Sequence, residues 1–536
     1  MKTIKLSLLC ALLLLGAFSS DLFAATDPLS KANRLPASLE QKVQDFQKAV
    51  IQDGYQVARG FWDLWGAEDC KYPLQTVGFC YGNNPTAPYV MAFLPPWKDE
   101  FVDKSLKHAL TRERKGMNPN YRLGEREALV VMAEMPPPAR YFGIGTNVFT
   151  REDVLSEKDP VYKRLNRPET QDLLEIIFAA SPNPDRLMMI ASIGDTINNV
   201  VIEDQSKENW GQQRFFIITP DEDMADAMIK ALKKVGVDPS QVFTERVSPS
   251  LVRLGYGPEA DDFITYIRYS MPNDIELGEK WREQLPIAIL RVRDFRSDTA
   301  SDPFDIPEYE AKEWNFDENE LQDDLSNLVK AVKEYWGQTN VNNSLEFRSL
   351  TLWVDLVGQH CLGYDGPPEP GDGITLPRGP MDCIGDNQDA DYQISAGKYQ
   401  LDNNQVIAVV GTLGTKTGNA TYSSLSVNWF PELVGVLNRD DTVLEESAKK
   451  FKEVFEGSED PELYKKFYVY YFARDCRGLY PWCHEISRDL IPRGDTIKIV
   501  QRNYVTPGSR RGPDPHQILN PVAIEFDGRK GKRPKM

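Results

Sequence analysis

The chain has 536 residues, a formal net charge of −18 and a mean hydropathy of −0.45. That length buries a large core and accommodates about two to four domains. The acidic balance repels phosphate backbones, so nucleic acid is disfavoured as a partner, and no stretch reaches the ~20 apolar residues of a transmembrane helix.

The chain opens on Lys2 and Lys5, an apolar run over residues 6–18 and the small-residue end Phe23-Ala24-Ala25. This layout predicts a cleaved signal peptide over 1–24 and export to the periplasm or beyond. Cys10 lies inside the apolar run without the small residue that precedes a lipidated cysteine, so a lipid anchor is not expected.

A helix follows, with Leu39, Val43, Phe46 and Val50 at helical spacing. Next come the first cysteines. The chain has seven; besides Cys10 they fall into three close pairs, Cys70/Cys80, Cys361/Cys383 and Cys476/Cys483. An even number of cysteines in an exported chain predicts disulfides, and the clustering favours local pairing. Each bridge closes a short loop and contributes about 2–3 kcal/mol by chain entropy. Zinc is a weak alternative, since there is no C-x-x-C pair and only four histidines, His108, His360, His484 and His516.

Cys80-Tyr-Gly-Asn83-Asn84-Pro-Thr-Ala-Pro-Tyr89 aligns without gaps to Cys383-Ile-Gly-Asp386-Asn387-Gln-Asp-Ala-Asp-Tyr392. Leu39 to Val50 aligns to the helical pattern Leu321, Leu325, Leu328 and Val332. Leu123 to Ala133 lies over Leu401 to Gly411, and Ala139-Arg-Tyr141 over Ala420-Thr-Tyr422. Helix, cysteine pair, Gly-Asn motif and strand pair recur in one order. This predicts a tandem duplication: a first half over 25–295, an exposed acidic linker over 296–320, a second half over 321–525 and a basic tail over 526–536. Within each half the strand pair is expected to be a β-hairpin.

After that pair the halves diverge. A helical stretch is expected over 98–114, a strand over 214–219, a helix over 221–235, a strand over 241–247, a helix over 259–269 and a strand over 287–293. The second half predicts helices over 442–455 and 461–473 and a strand over 496–503. The fold class is α+β, with a β-sandwich-like sheet region and packed helices in each half.

The stretch Glu127-Ala-Leu-Val-Val-Met-Ala-Glu-Met-Pro-Pro-Pro-Ala-Arg-Tyr-Phe-Gly143 resembles a strand motif of a bacterial domain-of-unknown-function family, which runs from an EALVVE strand through prolines into ARYW. The present chain has Phe142 where that family has Trp. The resemblance, carried by residues 123–149, implies a β-sandwich. Residues 383–430 are similar to uncharacterised exported proteins with C-x-G-D-N-x-D-A and a later T-G-x-A-T-Y. Neither resemblance implies a reaction.

The common catalytic signatures, G-x-S-x-G, H-E-x-x-H, the Walker loop and C-x-x-C-H, are missing from the sequence. The densest polar segment carries Asp386, Asn387, Asp389 and Asp391, oxygen ligands of the kind Ca2+ takes, although the spacing is not that of an EF-hand. A plain turn is the competing reading, because the matching Asn83-Asn84 loop has no carboxylates. Asn83, Asn84, Tyr89, Tyr392, His360 and His484, on or beside the cysteine loops, are the candidate binding residues. The expected function is a non-catalytic exported protein that binds a small molecule, a glycan or a surface. The alternative is a secreted hydrolase or lyase that uses carboxylates, assisted by Ca2+, in a cleft between the halves.

Overall fold

The computed structural model describes residues 33–114, 116–152, 181–193, 196–296, 299–305, 312–339, 344–349, 385, 387–430 and 432–528. In the first half the strands are β1 (Gln56–Arg59), β2 (Phe61–Trp65), β3 (Tyr89–Phe93), β4 (Glu127–Glu134), β5 (Ala139–Glu152) and β6 (Arg186–Ser192). They continue with β7 (Ile197–Asn198), β8 (Gln213–Thr219), β9 (Val242–Arg246), β10 (Asp262–Pro272) and β11 (Ile287–Arg293). In the second half they are β12 (Ser344–Ser349), β13 (Ala390–Ser395), β14 (Tyr399–Gln400), β15 (Gln405–Thr412) and β16 (Tyr422–Phe430). Then follow β17 (Val434–Asp440), β18 (Phe467–Ala473), β19 (Cys483–Glu485), β20 (Thr496–Tyr504) and β21 (Val522–Asp527).

The first half forms two sheets, β1-β11-β4-β8-β9 and β2-β3-β10-β5-β6, with β7 beside β5. Alternate residues of β4 explain the layering. Leu129, Val131 and Ala133 meet Phe142, Ile144 and Ile267 of the other sheet. Ala128, Val130 and Met132 face the helices Ala37–Gln52 and Glu222–Lys234. A strand buried on both faces has to be apolar throughout, and each such Val, Leu or Ile contributes about 1.5–3 kcal/mol. The helix stripe Leu39, Val43, Phe46 and Val50 is buried as its spacing implies. Asp221 caps Glu222–Lys234 by accepting from Met224 N at 2.7 Å, and Lys233 and Lys234 occupy its last turn.

In the second half the sheet runs β17-β16-β20-β13-β12-β21-β15-β18-β19, with β14 beside β20. Its β12-β21-β15-β18-β19 run has the order of β1-β11-β4-β8-β9, and β12-β13-β20-β16-β17 that of β2-β3-β10-β5-β6. The last pair of the first run is parallel in both, β8 with β9 and β18 with β19. The register agrees as well: Tyr89 pairs Arg268 and Arg268 pairs Gly143, while Tyr392 pairs Arg502 and Arg502 pairs Ser424. The helix Gln322–Tyr335 packs Leu325, Leu328 and Val332 on the outer face of β15 and β18.

Several expected elements differ. β4 and β5 are not a hairpin, since they lie in different sheets; β15 and β16 do not pair either, being separated by β20, β13, β12 and β21 within one sheet. Pro136-Pro137-Pro138 offers no backbone donors for a tight pairing, so the chain crosses from one layer to the other. The expected helix over 259–269 is β10. Phe263, Tyr266 and Ile267 imitate helical spacing because both faces of this strand are buried. Phe467–Ala473 is likewise a strand, with Phe467, Val469 and Tyr471 facing one core and Tyr468, Tyr470 and Phe472 the other. Residues 98–114 hold only the short 3-10 turn Lys104–Leu106, and 442–455 become a helical turn, Asp441–Leu444, and the 3-10 segment Ser447–Phe455.

The acidic connection is also less exposed than its composition implies. Glu318 is buried and accepts from Thr412 Oγ1 and Thr417 Oγ1, both at 2.6 Å, from Asn419 Nδ2 at 3.1 Å and from Leu519 N at 3.0 Å. Burial raises its carboxyl above the usual range, opposed by these neutral donors. Disulfides join Cys70 to Cys80 and Cys476 to Cys483; the Cys361/Cys383 pair lies outside the described residues. Among the described residues no helix is long and apolar enough to cross a membrane.

Candidate functional site

The two Gly-Asn loops, placed by their sequence at disulfide-pinned edges, are drawn into the junction between the halves. The first loop leaves the Cys70–Cys80 bridge and runs along the edge strand β17. Cys80 N donates to Glu432 O at 2.7 Å and Gly82 N to Leu433 O at 2.8 Å. Asn83 accepts from Gly435 N at 2.8 Å, and Thr86 Oγ1 from Asn438 Nδ2 at 2.6 Å. Asn84 turns inward on its own loop, accepting from Thr86 N at 3.2 Å. Gly82 has φ +60°, a left-handed conformation that glycine adopts without strain.

The second loop brings Asp389 against the first half. Its carboxylate accepts from Arg268 Nη2 at 2.9 Å and from Tyr141 OH at 2.8 Å, and all three side chains are buried. Arg268 also donates to Tyr392 OH at 3.1 Å, and its guanidinium lies over the rings of Tyr141 and Tyr504, 5.0 and 5.8 Å from their centres. Tyr504 stacks on Tyr422 at 5.1 Å. Burial alone would lower the Arg268 guanidinium; the Asp389 carboxylate beside it outweighs this and holds the cation well above its usual range. Burial raises the Tyr141 and Tyr504 phenols well above theirs, and Tyr266 to about 12. These hydroxyls therefore stay protonated, and Tyr141 and Tyr266 donate, to Asp389 and Asn387. Arg502 occupies the position of Arg268 in the second half, donating to Gly82 O at 2.7 Å and to Ser426 Oγ.

The proposed Ca2+ ligands divide. Asp386 and His360 lie outside the described residues. Asn387 donates to Gly385 O at 3.0 Å and to Tyr392 OH at 3.3 Å, Asp389 is engaged by Arg268 and Tyr141, and Asp391 accepts from Ser349 Oγ at 2.5 Å. Among the described residues no three His, Cys, Asp or Glu side chains form a group able to hold a metal. Tyr89 packs edge-on against Trp65 and Tyr266. His484 lies on β19, at the other end of the strand order, yet it touches Arg439 of β17, next to Asn438, which bonds the first loop; burial and that cation lower its imidazole to about 4, so it is neutral at pH 7.

Tyr141 and Tyr422, aligned with each other in the sequence, and Arg268, Arg502 and Tyr504 were not among the candidate site residues. A single arginine inside an otherwise apolar or aromatic strand was the available signal, but β10 reads as a helix by spacing, which hides the pairing of Arg268 with Tyr89. Chemically the cluster is a clamp: one carboxylate, two fixed cations and protonated phenols, with direct bonds across the junction. It does not present two facing carboxylates among the described residues.

No protein-family model matches the chain, and no curated protein matches it. A crystal structure of an uncharacterized protein from Burkholderia cenocepacia is similar with a TM-score of 0.34 at 9% identity, over 92% of this chain and 88% of that one.

Proposed function

We propose that this is an exported, non-catalytic binding protein built as a tandem of two copies of one α+β sandwich, spanning residues 25–295 and 321–525. The repeated strand order and shared register support the duplication. The basic-apolar leader and the two disulfides support export. The observation that carries the non-catalytic reading is the junction itself, where a two-half hydrolase would place its cleft. There Asp389 is committed to Arg268 at 2.9 Å and Asp441 to Arg140 at 2.6 Å. A carboxylate whose oxygens are already engaged by a guanidinium is occupied, which suits neither a general acid nor a free nucleophile.

The test is to incubate the purified chain with chromogenic glycosides and esters and with polysaccharide lyase substrates, while measuring retention on immobilised polysaccharides. Retention without turnover is expected. Turnover that disappears in Asp389→Asn or Asp441→Asn would overturn the reading in favour of a carboxylate-dependent hydrolase or lyase.

A further inference from the structure

We infer that the junction is a pseudo-isologous interface: the surface of each half that meets the other is built to take a second copy of that same half. The inference rests on reading the halves as copies, and it adds how those copies recognise each other.

In an isologous contact, whatever residue i of one copy does to residue j of the other, residue i of the second copy does to residue j of the first. Gly82 and Gly385 occupy the same place in the aligned Gly-Asn loops. Gly82 N donates across the junction to Leu433 O at 2.8 Å, and Gly385 N donates across it in the opposite direction to Ile190 O at 2.9 Å. The two acceptors are themselves equivalent. Asn147 pairs Ser192 and Asn428 pairs Gly435, which sets Ile190 and Leu433 each two residues before the paired position. Ile190 sits at the irregularity of the edge strand β6 and Leu433 immediately before the edge strand β17, and both have positive φ, +44° for Ile190 and +47° for Leu433. An aliphatic β-branched or γ-branched residue rarely adopts such a conformation, at a cost of about 1–3 kcal/mol. Two equivalent positions adopting it, each presenting its carbonyl to the other half's loop glycine, points to one contact used twice.

A second pair of equivalent positions also faces the opposite half, although its donors are not equivalent. Thr86 and Asp389 both lie six residues beyond the loop cysteine, and both accept hydrogen bonds from the opposite half, Thr86 from Asn438 and Asp389 from Arg268. Arg268 and Arg502, equivalent by register, each reach across in turn, to Asp389 and to Gly82 O. Side chains at equivalent positions have diverged while the direction of each contact has not.

The experiment uses the full chain with a specific protease site placed in segment 306–311. That segment lies between Phe304, whose N bonds Pro220 O in the first half, and Lys312, whose Nζ bonds Ala390 O in the second. After cutting, the two pieces are expected to co-elute at micromolar concentration, and separation would overturn the inference. Hydrogen exchange on the uncut chain gives the second measurement. The Gly82 and Gly385 amides are both expected to exchange slower than free peptide by on the order of a thousandfold, and both to lose protection in Arg268→Leu. Free exchange at Gly385 beside a protected Gly82 would mean a one-sided contact and would also overturn it. Either failure leaves the duplication reading standing, since that depends on strand order; an experimental structure with a different strand order in one half would remove the duplication reading itself.

Discussion

The face of β5 and β10 in the first half and that of β16 and β20 in the second share a register and carry different chemistry. In the first half this face presents Gly143, Gly145, Ile264 and Tyr266, and the Cys70–Cys80 segment with Leu106 and Leu110 packs on it as an apolar cluster. At the same register the second half presents Ser424, Ser426, Lys498 and Val500, flanked by Arg502 and Tyr504. Ser424 Oγ, Asn428 Oδ1 and Asn438 Oδ1 are buried there without a hydrogen-bond partner among the described residues. The same strand order thus carries a mainly apolar face, whose Arg268 is paired with Asp389, and a polar face that retains unsatisfied groups among the described residues. A backbone ladder depends little on which side chain sits at each position, whereas burying a hydroxyl or amide depends on every neighbour.

The largest test of this contrast lies at the two equivalent arginines. Removing the Arg268 guanidinium strands the buried Asp389 carboxylate, so Arg268→Leu is expected to cost about 3–5 kcal/mol. Among the described residues Arg502 hydrogen-bonds a carbonyl and a hydroxyl, and Arg502→Leu is expected to cost about 1–3 kcal/mol. Urea unfolding of both variants measures the difference, and equal costs would break the distinction between the two faces.

A smaller effect is expected at Glu318, which the helix alignment sets opposite Pro36 of the first half. Glu318→Ala leaves four donors without their acceptor and is expected to cost at least about 2 kcal/mol, read from the same unfolding curves. A loss indistinguishable from that of an exposed glutamate would contradict the burial of this part of the acidic connection.

His484 gives a pH signature confined to the second half. Its folded value of about 4 lies below the unfolded value of about 6.5. The unfolded chain therefore binds more protons between those values, and stability falls as pH drops from 6.5 toward 4. Thermal melts of the parent and of His484→Gln should diverge in that window and run parallel above pH 7. Parallel curves throughout would place the histidine in an ordinary solvated setting.

The smallest change is expected at Ser424, whose hydroxyl has no partner among the described residues. Ser424→Ala should be neutral or stabilising by under about 1 kcal/mol, whereas a clear destabilisation would show that the polar face is satisfied after all.

What the sequence determined by itself was periodic or paired. The stripe Leu39, Val43, Phe46 and Val50, the capped and charge-biased helix Glu222–Lys234, and the Cys70–Cys80 and Cys476–Cys483 bridges all follow from local spacing. The alignment of the Gly-Asn loops named the segments that meet at the junction, although it presented them as free edges. Only the tertiary structure decided that β4 and β5 belong to different sheets, that residues 262–272 and 467–473 are strands, and that Asp389 faces Arg268 and not a cation site. The physical reason is shared by all three. A segment buried on both faces loses the alternation that marks a strand, and a carboxylate's partner, 121 residues away in the chain, is chosen by packing that no local pattern encodes.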